Sequence, residues 1–383
     1  MGGLTVSHLT KPVSRGGMTD LLRLLFCMMI LLYHSSSFAP SGVHAPGMGG
    51  YIGVDFFFII SGVYLAMSAN RIVSSASGEI AKAPNVGQDT LRYMLRRLGR
   101  IYPEFTVALL IMLVARVAFN PRSLSGIPQS LLRASGEWTM LQQLGFNDYN
   151  IVGATWYLSA LLIASLLLYP LARKYGDGFL YILAPLIFLA LFGYTWQNLK
   201  TLQTPRTLMG GFVCEGLVRG IMEMALGGWV YGLAHRAEGL RLKAIPRAAL
   251  TLVELAIYVG ILVFFLTGKH KDRSNWSTIL LLALAQLITQ SKLSFTDEYV
   301  RGKAFSFLGA LSFDIYLGHR FWSTNLNKIR FLAHRSFGEK LVAYILISVA
   351  TALVIMFGAR LLRRGASKLR NWAVLPEQRV SGD

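Results

Sequence analysis

About ten separate apolar stretches recur along the chain, most of them 18–22 residues long, which is the length a helix needs to cross a bilayer. They fall near 21–39, 51–69, 101–119, 153–172, 178–195, 217–234, 248–267, 277–290, 305–322 and 341–362. A soluble domain can hide one such run in its core but not ten. Hydrophobic residues make up 54% of the 383 residues and charged ones 15%, too apolar a balance for a soluble protein of this size. The expected fold is all-α: a polytopic integral membrane protein of the cell membrane. Residues 1–20 form an N-terminal segment, 21–362 the helical domain and 363–383 a basic tail.

Charge sets the expected orientation. Numbering the connecting segments alternately from the N-terminus collects Lys11, Arg15, Arg92, Arg96, Arg97, Arg100, Arg173, Lys174, Arg236, Lys292 and the basic residues after Gly358 on one side. The other side holds about half as many, so both termini are expected in the cytoplasm. This bias and contact with anionic lipid account for the formal net charge of +19. The basic residues are divided among helix ends and no nucleic-acid module is visible, so nucleic acid is not an expected partner. Cys27 and Cys214 form no disulfide framework. Ser37-Phe38-Ala39 has the small residues of a leader cleavage site. Pro40 and the interrupting Arg23 instead indicate an uncleaved signal-anchor helix. No internal repeat is visible.

The first stretch contains the strongest functional signal. Titratable groups at membrane depth are costly and mark sites by default. Arg23 and His34 are eleven positions apart, almost three helical turns, so they project from one face about 16 Å apart along the axis. The arrangement suits a long anionic cofactor entering from one side. The bland alternative is a snorkelling arginine and a packed histidine.

The second stretch opens Gly53-Val54-Asp55-Phe56-Phe57-Phe58 and reaches Ser61-Gly62. Asp55 is expected in the same half of the membrane as His34. There it can accept from one imidazole nitrogen, or cap its own helix. The glycines permit close helix approach. Arg97 and Arg100 share a helix face and suit phosphates, the alternative being topological anchoring. The longest far-side loop, 120–152, holds Trp138, Asp148, Tyr149 and Asn150, a mixture for sugar contact or for a packed lid. The longest near-side loop, 70–100, starts flexibly at residues 74–78 and ends in a basic helix. The fourth stretch starts Trp156-Tyr157-Leu158-Ser159. The ninth carries Ser312, Asp314, Tyr316, Leu317 and His319. Arg219 and Glu223, four apart, form an expected internal ion pair.

Taken together and in order, these motifs resemble membrane acyltransferase family 3, the multi-span enzymes that acylate cell-surface sugars. The resemblance covers about residues 15–365. It rests on Arg23 with His34, the pattern from Gly53 to Gly62, the Arg97/Arg100 pair, and Ser312 with Tyr316, Leu317 and His319. One departure is clear: no glutamate follows Trp156-Tyr157-Leu158, so a role for that acid does not carry over. The resemblance implies an acyl-CoA donor, most simply acetyl-CoA, and a hydroxyl acceptor on a glycan or its lipid-linked precursor. It implies Arg23, Arg97 and Arg100 as donor-binding residues and His34 with Asp55 as the catalytic pair. Trp156, Tyr316 and His319 are the implied acceptor contacts, with His319 the competing base and no metal. His34 either takes the acyl group or acts as general base. The competing class is a proton-coupled transporter or flippase of lipid-linked saccharide, with Arg23, His34 and Asp55 as relay.

Overall fold

The computed structural model of the chain describes residues 17–75, 85–120, 124–146, 149–199, 201–211, 213–267 and 274–373. Each of the ten apolar stretches lies on a long helix. The first three are α1 (Gly17–His34), α2 (Gly53–Ser75) and α3 (Val86–Phe119). Two short helices come next, α4 (Ile127–Arg133) and α5 (Ser135–Trp138). Then come α6 (Trp156–Tyr175) and a π-helical turn (Phe179–Leu183) leading into α7 (Ala184–Asn198). The second half comprises α8 (Glu215–Arg236), α9 (Ala244–Thr267), α10 (Ser274–Ser291), the short α11 (Thr296–Tyr299), α12 (Lys303–Asn325), the short α13 (Arg330–Ala333) and α14 (Phe337–Ala373). Strand among the described residues is confined to an antiparallel pair, Leu208–Met209 with Val213–Cys214.

Seven of these helices are long and apolar enough to cross a membrane by length and composition. The three outside that group are α8, α10 and α12, which carry more polar residues, and those residues point inward. Arg219 and Glu223 of α8, Asn275, Gln286 and Thr289 of α10, and Ser312, Asp314 and His319 of α12 are all buried against other helices. Polar groups in an apolar medium are tolerated where neighbouring helices satisfy them. The outer helices show the reverse pattern. Leu186 and Leu189 of α7, Leu252 and Val259 of α9, and Leu346 and Val354 of α14 are exposed, forming the apolar belt that lipid would cover.

α8 is the centre of the bundle and packs on α2, α6, α7 and α10. Its approach to α2 depends on two glycines: a side chain at Gly62 would meet the Met224 backbone, and one at Gly227 the Ile59 carbonyl. Small residues let helix backbones approach closely where lipid offers no hydrophobic driving force. Gly53 does the same against α1, where a Cβ would lie 3.1 Å from both Phe26 O and the Ile30 side chain. α1 packs along α12, with the Cys27 thiol donating to the Ser312 carbonyl at 3.0 Å. α12 is held to α14 by Trp322 Nε1 donating to Thr351 Oγ1 at 2.8 Å.

Two helices run past their apolar stretches. α3 begins fifteen residues before its apolar stretch, capped by the Asn85 side chain accepting from Gln88 N at 3.1 Å. It is pinned to α6 by the buried Arg173–Asp89 pair at 2.8 Å. The basic run through Arg97 and Arg100 is therefore continuous helix. α14 likewise extends to Ala373, and Arg363 folds back onto Glu104 and the Arg100 carbonyl of α3. Ser74 and Ser75 end α2, and the rest of the 74–78 stretch lies outside the described residues.

Candidate active site

The bundle is hollow at both ends. Where α1 and α3 begin, a cavity of about 850 Å³ is bounded by α1, α2, α3, α6, α12 and the corner after α10. Ligand sites commonly measure about 300–1,000 Å³. Its wall carries Arg23, Arg96, Arg97, Arg100, Lys292 and Arg363 against two acids, Glu104 and Asp297. Both members of the Arg97/Arg100 pair face this space, as their spacing predicts. Arg97 donates to the Tyr93 hydroxyl and stands 5.7 Å from that ring's centre. The same ring stacks on Tyr169 at 4.0 Å. Arg23 is paired with Asp20 of its own helix at 3.4 Å. The acids do not cancel this field. Glu104 is engaged by Arg363. Burial pushes the Asp297 carboxyl above its ordinary range, opposed by Lys292 and Arg301. Lys292 has φ 57°, uncommon for a residue with a side chain. Arg96, Lys292 and Arg363 were not anticipated as site residues.

The second cavity, about 750 Å³, lies at the opposite end, where α1, α3 and α12 finish. Its wall includes His34, Arg116, Tyr149, Asn150, Trp156, Gln203, Arg206, Arg320 and Asn325. Tyr149 and Asn150 of the 120–152 loop therefore face it. Trp138 does not: its Nε1 donates to Leu131 O at 3.0 Å and its carbonyl accepts from the Tyr102 hydroxyl at 3.0 Å. Asp148 lies outside the described residues. A residue that the motif reading passed over shapes this wall. The buried Glu137 carboxylate accepts from Ile151 N at 2.6 Å, Val152 N at 3.2 Å, Gly153 N at 2.9 Å and Thr155 Oγ1 at 2.8 Å. Backbone donors so engaged hold residues 151–155 in one conformation ahead of α6.

Between the two lies a narrow space of about 110 Å³. It shares Ile30, Val54 and Tyr316 with the first cavity, and His34, Ala154, Trp156, Gln203 and Pro205 with the second. Tyr316 closes it by donating its hydroxyl to the Ala154 carbonyl, and stacks edge-on against Tyr157 at 5.8 Å. Arg23 thus lines the first cavity and His34 the narrow space and the second, in keeping with their shared helix face.

His34 is the junction. Its ring lies 5.1 Å from that of His319. Arg320 Nη1 stands 3.3 Å from His34 Nδ1, and a guanidinium only donates, so Nδ1 is the acceptor and the proton is on Nε2. His319 has the opposite arrangement. Its Nδ1 lies 2.7 Å from the Tyr316 carbonyl, which only accepts, so Nδ1 carries the proton. His319 Nε2 is then a buried lone pair with no hydrogen-bond partner among the described residues. The two imidazoles form an ordered pair, one presenting N–H and one presenting a bare nitrogen.

Asp55 is not part of that pair, which corrects the expected Asp55–His34 contact. Its carboxylate is bound by the Arg219 guanidinium, with side chains 0% and 2% exposed. Arg219 also takes Glu223 at 3.0 Å, as its spacing predicts, and donates to the carbonyls of Leu202 at 2.9 Å and Tyr51 at 3.5 Å. A permanently charged group with five donors outcompetes a neutral imidazole for a buried carboxylate. Asp55 therefore knits α2 and α8 to the segment carrying Gln203 and Arg206 at the second cavity. Trp156 and Tyr316 line the narrow space, whereas His319 is buried and lines none of the three cavities.

A family model described as an acyltransferase domain matches residues 19–361, nearly the whole chain. No curated protein and no solved structure matches it.

Proposed function

The chain belongs to acyltransferase family 3, and from that premise we propose that it moves an acetyl group from cytoplasmic acetyl-CoA to a hydroxyl of an exported or cell-surface glycan or its lipid-linked precursor. The observation that supports this most is the run of three cavities, smallest beside His34, with Arg96, Arg97, Arg100 and Lys292 gathered at the end where α1 and α3 begin. In this reading the ten long helices each cross the cell membrane and both termini are cytoplasmic. The end carrying Arg97 and Arg100 then faces the donor pool.

Arg97 and Arg100, with Arg96, Lys292 and Arg363, hold the phosphates of the donor. Arg23 stands farther in, where the pantetheine arm passes, and the narrow space beside Tyr316 receives the thioester. Trp156 and the second cavity receive the acceptor. The acceptor oxygen attacks the thioester carbonyl carbon while its proton passes to His34 Nδ1, which Arg320 vacates on turning to the acceptor. The Nε2 proton of His34 moves to the bare Nε2 of His319 after a turn of the rings brings the two nitrogens, not hydrogen-bonded to each other at rest, within reach. The carbon–sulfur bond breaks, the thiolate leaves, and the proton returns from His319 through His34 to sulfur. The role of Asp55 is to position: it fixes Arg219 and, through it, the wall around Gln203.

The test is mass spectrometry of acceptor glycans after incubation with full-length protein in liposomes and acetyl-CoA. The expected result is a mass gain of one acetyl group that requires both protein and donor. No gain with acetyl-CoA, on surface glycans or on their lipid-linked precursors, refutes the reading.

A further inference from the structure

The second cavity is unlike the first in one respect: no Asp or Glu is among the described residues that line it. Three arginines from three parts of the chain are: Arg116 of α3, Arg206 of the segment before α8, and Arg320 of α12. Two acids of the adjoining segments have other hydrogen-bond partners. Glu137 is saturated by four donors behind Gly153, and Glu215 accepts from Thr204 Oγ1 at 2.6 Å. Arg206 donates to the Gly153 carbonyl at 2.8 Å. Arg320 donates to Ser37 Oγ at 2.8 Å besides facing His34. These are neutral partners, so two guanidinium charges stand at one cavity with no ion pair to either among the described residues; Glu137, behind Gly153, attracts Arg206 without bonding to it.

Topology does not account for them. If this end faces away from the cytoplasm, the positive-inside bias would remove arginines from it rather than gather them. Like charges around one cavity also repel, a cost that a bound anion turns into attraction. Arginine is the side chain suited to planar, bidentate recognition of carboxylate or phosphate.

From the placement of Arg206 and Arg320 we infer that the acceptor is anionic: it carries a carboxylate or phosphate group that these two arginines bind beside the hydroxyl to be acylated. The acylation step rests on the acyltransfer reading, and the binding of the anion does not. Arg320 touches both the anion site and His34, so the anion is read within one side chain of the reacting centre. Trp156 offers a face for a sugar ring, and Asn150, Gln203 and Asn325 offer hydrogen bonds to its hydroxyls.

The experiment measures binding by the full-length protein in nanodiscs, without acetyl-CoA. The probes are a glucuronate-containing tetrasaccharide, its methyl ester, a neutral tetrasaccharide and a polyprenyl diphosphate. The expected result is at least about tenfold tighter binding of the acid or of the diphosphate than of the uncharged sugars, as for loss of one charge-assisted hydrogen bond. That preference should weaken with salt, disappear in Arg206→Gln and Arg320→Gln, and persist in Arg206→Lys. Preference for the tetrasaccharide acid places the charge on the sugar, and preference for the diphosphate places it on the lipid carrier. Equal affinity for acid, ester, neutral sugar and diphosphate overturns the inference, and so does a preference unchanged in both glutamine variants. The ester comparison in the unaltered protein needs no variant to fold. Selective anion binding with no acetyl transfer would leave this inference standing and sink the acyltransfer reading instead.

Discussion

Arg219→Met removes the guanidinium that two buried carboxylates share. In the native bundle Arg219 binds Asp55 and Glu223 and donates to the carbonyls of Leu202 and Tyr51, with all three charged side chains buried. Methionine fills part of the volume but leaves Asp55 and Glu223 facing each other with no cation. Removing one partner of a buried ion pair costs about 3–5 kcal/mol, because the charge left behind has neither water nor a counter-ion. The two orphaned carbonyls act in the same direction, at about 1–3 kcal/mol for a buried polar group left unpaired. These terms share one site and do not add in full, so the expected loss is about 4 kcal/mol. The assay is the unfolding free energy of purified protein in mixed micelles. A second variant separates charge from packing: Asp55→Asn, Arg219→Met and Glu223→Gln together leave no uncompensated charge and should recover most of the loss. If Arg219→Met is destabilised by less than about 1 kcal/mol, the triad is not what joins α2 to α8. If the triple variant is no better than the single one, the loss lies in packing and the electrostatic argument is wrong.

His34→Ala should lower glycan acetylation by about a hundredfold or more at matched protein level, and His319→Ala by a similar amount. Because the two act as one proton path, the double variant should be little worse than either single one, and full activity in His34→Ala removes the mechanism. Reversing Arg97 and Arg100 to Glu should weaken acetyl-CoA affinity by about tenfold or more while the protein still inserts, and unchanged affinity would leave them as topological anchors. Glu137→Ala frees the backbone donors of residues 151–153, so the acceptor KM should rise while donor affinity stays constant, and a change in donor affinity alone would contradict this placement. A reporter fused after Asp383 should read as cytoplasmic, and an extracytoplasmic signal would reverse the assignment of the two ends.

The helices were legible because each is a contiguous apolar run, a property of neighbouring residues. Their ends were less so: the start of α3 and the end of α14 are charged, yet helix continues there because those residues stand off the apolar core and find partners such as Asp89 with Arg173. The Arg23–His34 face and the Arg97/Arg100 pair were readable for the same local reason, since helical spacing sets direction. Asp55 was misread because its partner lies 164 residues away, and competition between Arg219 and His34 is decided only by packing. Glu137 left no sequence signal, because three of its four partners are backbone N–H groups that every residue type except proline carries. Arg320 directly follows His319 in the chain, but its place beside His34 depends on α12 meeting the end of α1. Arg206 is on a segment with no periodicity to place it.

The narrow space between the two larger cavities has an electrical consequence. Water entering both open ends would carry the potential of each side inward, leaving the membrane voltage to fall mainly across the short stretch around Tyr316, Trp156 and His34. A full elementary charge crossing that drop exchanges about 2.3 kcal/mol per 100 mV. In the acyltransfer reading the partition would then be an insulator as well as a meeting place: it would hold ions back, and a proton displaced across it would feel a field otherwise spread over the whole bilayer.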